Sequence, residues 1–349
     1  MRQNNLSGGS ERTYPLRMPP GWEPPVPAFS SEFGSGTNEI SMAVIGCQFS
    51  RSDRDRLYEV VAGLDLLLRK IGKADHVDLS ECEMDGTGHS QLVVTCYWLK
   101  PDAMAKFFET PVFRAFWARH SMEGLDYGVF REFFNIPLKR FETLHSGPDH
   151  IVGIGHARHS VSDPILRHAY WGSMRDRIEE SATDVLEPAG DIEVVEEGPN
   201  RIVVRPNQNL AVIRSGQDLT KAAGIEREEY YSDIEPVLRA GMNFLRDNGL
   251  EEVNCIDCRY MSLLDEGGES RDHTYGLAYF RSLKDLEQWA EFHPTHLAIF
   301  NAFMEFAPRY GPKMRSRYWH EVSVLPAVSQ IAEYVNCASG TGLLSGVRS

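Results

Sequence analysis

Twelve histidines are spread along the 349 residues, and the pair in HPTHLAIF (293–300) stands out by position. Pro294 suits the first turn of a helix, with His293 at its cap. His296 then shares a face with Phe300 and with Phe303 or Met304, because residues three and four apart align. One imidazole leading an aromatic and aliphatic stripe is what a porphyrin requires: apolar surface for the ring and a nitrogen for the iron. A core or capping histidine would show the same spacing. Pro294 and the lack of further ligands argue against a metal held by His293 and His296 together.

His320, in YWHEVSV (318–324), is the second candidate. LAVIRS (210–215) reads as a strand ending at Ser215, and 318–324 as a later strand that begins near His320. Antiparallel pairing of the two brings a hydroxyl and an imidazole together, facing the helix that bears His296. HAYWGSMRDR (168–177) adds Arg175 and Arg177 among aromatics, a pattern shared by polar-ligand anchors and surface ion-pair networks. Cys255 and Cys258 form a C-x-x-C, but Arg259 follows where covalent haem attachment needs histidine. They read as two thiols on one strand.

The elements that must position these groups occur twice. MAVIGCQF (42–49) looks like a buried strand, and 54–71 sets Leu57, Val60, Val61, Leu64, Leu67, Leu68 and Ile71 on one helical face, with Gly72 as its stop. Strands at 76–84 and 91–98, a helix over 102–119 and a strand at 127–134 follow. The order returns as a strand at 210–215, a helix over 232–247, strands at 252–262 and 273–281, a helical region over 284–306 and a strand at 318–324. Arg131-Glu132 echoes His320-Glu321, and YWLKPDAMAKF (97–107) echoes YFRSLKDLEQW (279–289). The expected fold is α+β: duplicated ferredoxin-like units, each a four-stranded antiparallel sheet under two helices, joined into an α+β barrel. The predicted organisation is an extended proline-rich segment (1–40), a first repeat (41–144), an insertion (145–208) and a second repeat with the C-terminal tail (209–349). An insertion of that size in a compact domain is often functional.

Composition narrows the function. Thirty-six Lys and Arg against 50 Asp and Glu leave a net charge of -14, which opposes binding to nucleic acid or an anionic membrane. No apolar run approaches the ~20 residues that span a bilayer, and the first residues lack the apolar centre of a secretory signal. Six cysteines in a chain this long do not make a disulfide framework. A cytoplasmic protein with reduced thiols is expected.

Several blocks, in one order over most of the chain, resemble the aldoxime dehydratases, haem enzymes that include phenylacetaldoxime dehydratase. They are YWGSMRDR (170–177), IRSGQD (213–218), FLRDNG (244–249), HPTHLAIF (293–300), YWHEVSV (318–324) and EYVNC (333–337). The resemblance implies haem b, ferrous in the active form, between the sheet and its helices. Its axial ligand would be His296. The distal catalytic histidine would be His320, Ser215 would contact the substrate hydroxyl, and Arg177 rather than Arg175 would be the distal arginine. FETL (141–144) adds Glu142, a glutamate implicated in activity. The implied reaction dehydrates an aldoxime to a nitrile with substrate nitrogen on the iron, and the implied assembly is a homodimer. Two alternatives remain: another haem enzyme of related fold, such as a peroxidase or chlorite-dismutase-like protein, and a non-catalytic haem sensor.

Overall fold

The computed structural model describes residues 12–100, 102–328 and 330–347; residues 1–11 of the proline-rich segment and the last two of the tail lie outside the described residues. The first half contributes β1 (Ser31–Glu32), β2 (Glu39–Phe49), α1 (Arg54–Leu67), β3 (His76–Cys82) and β4 (Ser90–Trp98). It continues with α2 (Ala103–Phe108), α3 (Pro111–His120), β5 (Gly128–Pro137) and β6 (Phe141–His145). Between the halves lie β7 (Ser160–Val161), α4 (Ser173–Arg177), β8 (Glu193–Glu197) and β9 (Arg201–Arg205). The second half holds β10 (Leu210–Asp218), α5 (Ile225–Glu229), α6 (Glu235–Asp247), α7 (Gly249–Val253) and β11 (Cys255–Leu264). It ends with β12 (Ser270–Phe280), α8 (Leu283–Phe292), α9 (Pro294–Tyr310), β13 (Arg317–Leu325) and β14 (Ile331–Val335).

β1 and β7 pair with each other, and the other twelve strands form one sheet in the order β6-β13-β10-β12-β11-β3-β4-β2-β5-β14-β9-β8. Every ladder in it is antiparallel. Within each half the fourth strand pairs with the first, the first with the third and the third with the second. The two halves meet through β3 and β11. Two strands cross over: β6 follows the first half yet pairs with β13, and β14 follows the second yet pairs with β5.

The sheet is curled, so side chains from distant strands meet on its inner face. Arg214 on β10 donates to the Tyr97 hydroxyl on β4 at 2.7 Å, and Tyr97 donates to Glu321 on β13 at 2.5 Å. β2 is covered on both faces, which explains its unbroken apolar run. Ile40, Met42 and Val44 join the inner core, while Ala43, Ile45, Cys47 and Phe49 pack against α1 to α3.

Several expected elements differ in their limits. The helix expected over 102–119 is two, because Pro111 starts α3 with Thr110 as its cap, its hydroxyl accepting from Phe113 N. Helical structure reaches Gly72 as a π turn, but Lys73 adopts the left-handed conformation that ends it, with φ of 46°. Residues 252–253 close α7 instead of opening a strand, and Asn254, with φ of 53°, turns the chain into β11. The region 284–306 is broken at His293, the residue that Pro294 holds in extended conformation. α6 is preceded by a π turn over Tyr230–Ile234. Cys255 and Cys258 both lie on β11 as free, buried thiols.

Candidate active site

The β10–β13 register sets Ser215 directly opposite His320. Side chains alternate along a strand, so Arg214, Glu321 and Trp319 point into the curl while Ser215 and His320 point toward the helices. The convergence expected from strand order is met. Both line a cavity of about 330 Å³, and His296 lines it from α9. Leu238, Met242 and Leu245 on α6, Trp289 and Ala290 on α8, and the loop 169–172 with the start of α4 complete its mostly apolar wall. The sheet floor is low where β12 presents Gly276 and Ala278. A side chain at Gly276 would sit 2.8 Å from Met242 Sδ, so glycine there leaves room.

His296 has one nitrogen committed and one available. Nδ1 lies 2.7 Å from Ala290 O, to which it must donate, so the proton resides on Nδ1. Nε2 has no hydrogen-bond partner among the described residues. Burial pushes this imidazole down to about 4, so it is neutral at ordinary pH. Trp289 meets the ring edge-on at 4.6 Å between centroids, and Trp171 at 6.0 Å. A neutral imidazole oriented by a carbonyl, with a bare nitrogen on an apolar cavity, fits the axial ligand of a haem. Among the described residues, no cluster of three or more His, Cys, Asp or Glu is arranged to hold a bare metal ion.

His320 is held from the sheet edge. β6 pairs with β13 and carries Glu142, whose Oε1 is 2.9 Å from His320 Nε2. Arg177 at the end of α4 donates to both Glu142 oxygens, at 2.7 and 3.0 Å, and to Arg167 O at 2.6 Å. Its Nη2 also lies 2.8 Å from His320 Nε2. A protonated Nε2 donates to the carboxylate, and a bare one accepts from the guanidinium; either state finds a partner. Nδ1 of His320 makes no hydrogen bond to the described residues. Burial alone would raise the Glu142 carboxyl, but Arg177 and His320 together hold it down at about 2. Ser215 Oγ likewise makes no hydrogen bond to the described residues, and its residue is exposed to the cavity.

The five residues singled out in sequence thus fall in two groups. Ser215, His296 and His320 line the cavity, while Glu142 and Arg177 stand behind His320. Arg175 turns away and pairs with Glu287 at 2.7 Å. Sequence reasoning passed over Trp171 and Trp289 as walls of the site, although each sits in a block already noted. The proline-rich segment docks on the cavity-wall loop: Arg17 N and Met18 N donate to Asp176, and the Trp22 indole donates to His168 O.

An apolar cleft between sheet and helices, with an uncommitted imidazole on one wall and a second histidine, backed by a carboxylate and a guanidinium, on another, has the makings of a prosthetic-group site. The family model described as haem-containing dehydratase matches residues 43–343, and the chain belongs to that family. It is an enzyme of the dehydratase class, with haem as its cofactor. An aliphatic aldoxime dehydratase of Rhodococcus globerulus is 36% identical, over 95% of this chain and 94% of its own. The phenylacetaldoxime dehydratase of Bacillus sp. (strain OxB-1) is 31% identical over 94% and 93%. A solved aldoxime dehydratase in complex with butyraldoxime has a TM-score of 0.91 at 33% identity, covering 97% of this chain and 94% of that one. Among the described residues, no helix is long and apolar enough to cross a membrane.

Proposed function

We propose that this chain dehydrates aldoximes, R–CH=N–OH, to nitriles, R–C≡N, and water, with His320 as the acid. The observation that carries the reading is one cavity shared by His296 on its helical wall and by Ser215 and His320 on its sheet wall. The relatives' named activities agree with it. Bound ferrous haem b, held by His296, supplies a coordination position for the substrate nitrogen and electron density for the N–O bond.

The protein's part is proton handling. Hydroxide leaves poorly, since water has a pKa near ~15.7. As the N–O bond breaks, the oxygen takes a proton from His320 Nδ1 and departs as water. The carbon-bound hydrogen then leaves as a proton, its electron pair completes the triple bond, and the bared Nδ1 receives it, so the imidazole ends as it began. Histidine suits both steps because its unperturbed pKa, about 6.5, lies near working pH. Glu142 accepts from Nε2, Arg177 fixes Glu142, and Ser215 orients the substrate hydroxyl.

The architecture is read as two ferredoxin-like units, residues 41–144 and 209–349, sharing one barrel-like sheet. The insertion 145–208 then contributes to the distal pocket, and haem lies between the second unit's sheet and helices. A cytoplasmic homodimer completes the reading. The test is the absorption spectrum of anaerobic, dithionite-reduced protein before and after an aldoxime is added. A Soret band that shifts and then relaxes as nitrile accumulates is the expected result. A haem band indifferent to aldoxime would overturn the proposed substrate.

A further inference from the structure

His296 Nδ1 donates to Ala290 O at 2.7 Å, and that carbonyl is open for a reason written in the chain. In an α-helix the carbonyl of residue 290 accepts from the N–H of residue 294. Residue 294 is proline, which has no N–H. α8 therefore ends at Phe292, and His293 N bonds back to Trp289 O at 3.1 Å. Proline also drives His293 into an extended conformation, φ −80° and ψ 133°, which restarts the chain as α9 in a new direction. The His293 ring caps the new helix by accepting from Thr295 N at 3.3 Å. His296, on the first turn of α9, lies over the end of α8, where Ala290 is the first carbonyl without its regular donor. Those of Glu291 and Phe292 follow, because Thr295 N and His296 N bond back to His293.

We infer that Pro294 is a positioning residue for the axial ligand: by withholding an N–H from Ala290, it reserves that carbonyl for His296 Nδ1. The hydrogen bond fixes the tautomer and aims Nε2 at the cavity. It also sets how strongly the imidazole donates to iron, since an acceptor on one ring nitrogen raises the basicity of the other. A neutral carbonyl does this moderately; a carboxylate would do it more strongly. The inference rests on His296 being the haem ligand and deepens that reading.

Pro294→Ala restores the competing N–H. The expected result is a lower iron–histidine stretching frequency in the ferrous Raman spectrum, a more positive haem midpoint potential, and haem affinity reduced about 10- to 100-fold, the usual effect of losing a ligand's outer partner. A second test does not depend on how that variant folds. In His296→Gly, added imidazole can both ligate and donate to Ala290 O, whereas 1-methylimidazole can ligate but has no N–H to give. Imidazole should bind more tightly and give the higher stretching frequency. Equal affinity and equal frequency for the two ligands, or a Pro294→Ala spectrum identical to that of the parent, would overturn the inference while leaving His296 as ligand. Haem retained in His296→Ala with unchanged axial ligation would remove the ligand assignment and this inference with it.

Discussion

Glu321 on β13 receives the Tyr97 hydroxyl from the first half, and Glu132 on β5 receives the Tyr279 hydroxyl from the second, both at 2.5 Å. Each half's fourth strand is thus pinned by the third strand of the other. The likeness goes further. Gly46 and Gly216 lie in matching places on β2 and β10, pressed against Phe130 and Trp319 respectively. A carboxylate from a crossed-over strand bridges two basic side chains in each half: Glu333 between Arg131 and Arg201, Glu142 between His320 and Arg177. Even the helix starts match, with Phe113 third from the cap Thr110 and His296 third from the cap His293.

What differs is filling. In the first half, Phe107, Phe108, Phe113 and Trp117 close the space between helices and sheet. Arg131 stands where His320 stands in the other half, stacked 4.5 Å over Trp117. In the second half, Gly276, Ala278 and Ala290 leave that space open. One strand order therefore gives a packed core in one half and an open cleft in the other. The cleft forgoes dispersion and burial that a bound cofactor can restore.

The largest expected effect is at the matched pair His296 and Phe113. His296→Ala should lose stable haem binding and with it turnover, while circular dichroism shows a folded chain. Phe113→Ala should do the opposite, keeping one haem per chain but losing about 3–5 kcal/mol in denaturant unfolding, as large core truncations do. Normal haem content in the first variant would break the contrast.

Next comes His320→Ala, with haem retained and nitrile formation down ~100- to 10,000-fold, the usual share of a placed acid. Near-normal rates by product chromatography would exclude His320 as the acid.

The bridging carboxylates sharpen the comparison further. Glu142→Gln strands a buried Arg177 and should cost about 3–5 kcal/mol. Glu333→Gln, whose arginines are 21% and 39% exposed, should cost about 1 kcal/mol or less. The acid limb separates them as well. Burial would raise Glu142, yet its partners depress it from 4.5 to about 2. Its stabilising contribution is therefore complete above about pH 4.5 and is lost as pH falls toward 2. Melts of Glu142→Gln across that window should show a shallower acid slope than the parent. An unchanged slope would mean that the carboxylate is not held as described.

Ser215→Ala should have the smallest effect, a several-fold loss in rate or in aldoxime affinity, the worth of about one hydrogen bond. Unchanged kinetics in both would take Ser215 out of the site.

Element order, the repeat of that order and the role of Pro294 as a helix start were all legible in the chain, because periodicity and proline act locally. So was the meeting of Ser215 with His320, since strand order and antiparallel sense set which ends coincide. The helix limits near Pro111 and Asn254 were not, because apolar spacing runs on across a break that a cap or a left-handed residue makes. Only the folded chain brings Glu142 under His320, because which strand takes the free edge of β13 depends on how the sheet curls and where the chain can return. The resemblance already preferred Arg177 to Arg175, but only the fold gives the physical difference: two residues apart on one helical turn, they reach Glu142 and Glu287 respectively. The open Ala290 carbonyl lies between the two. Its cause, a proline four residues on, is local; its use by His296 needed two helices set at an angle, which packing alone decides.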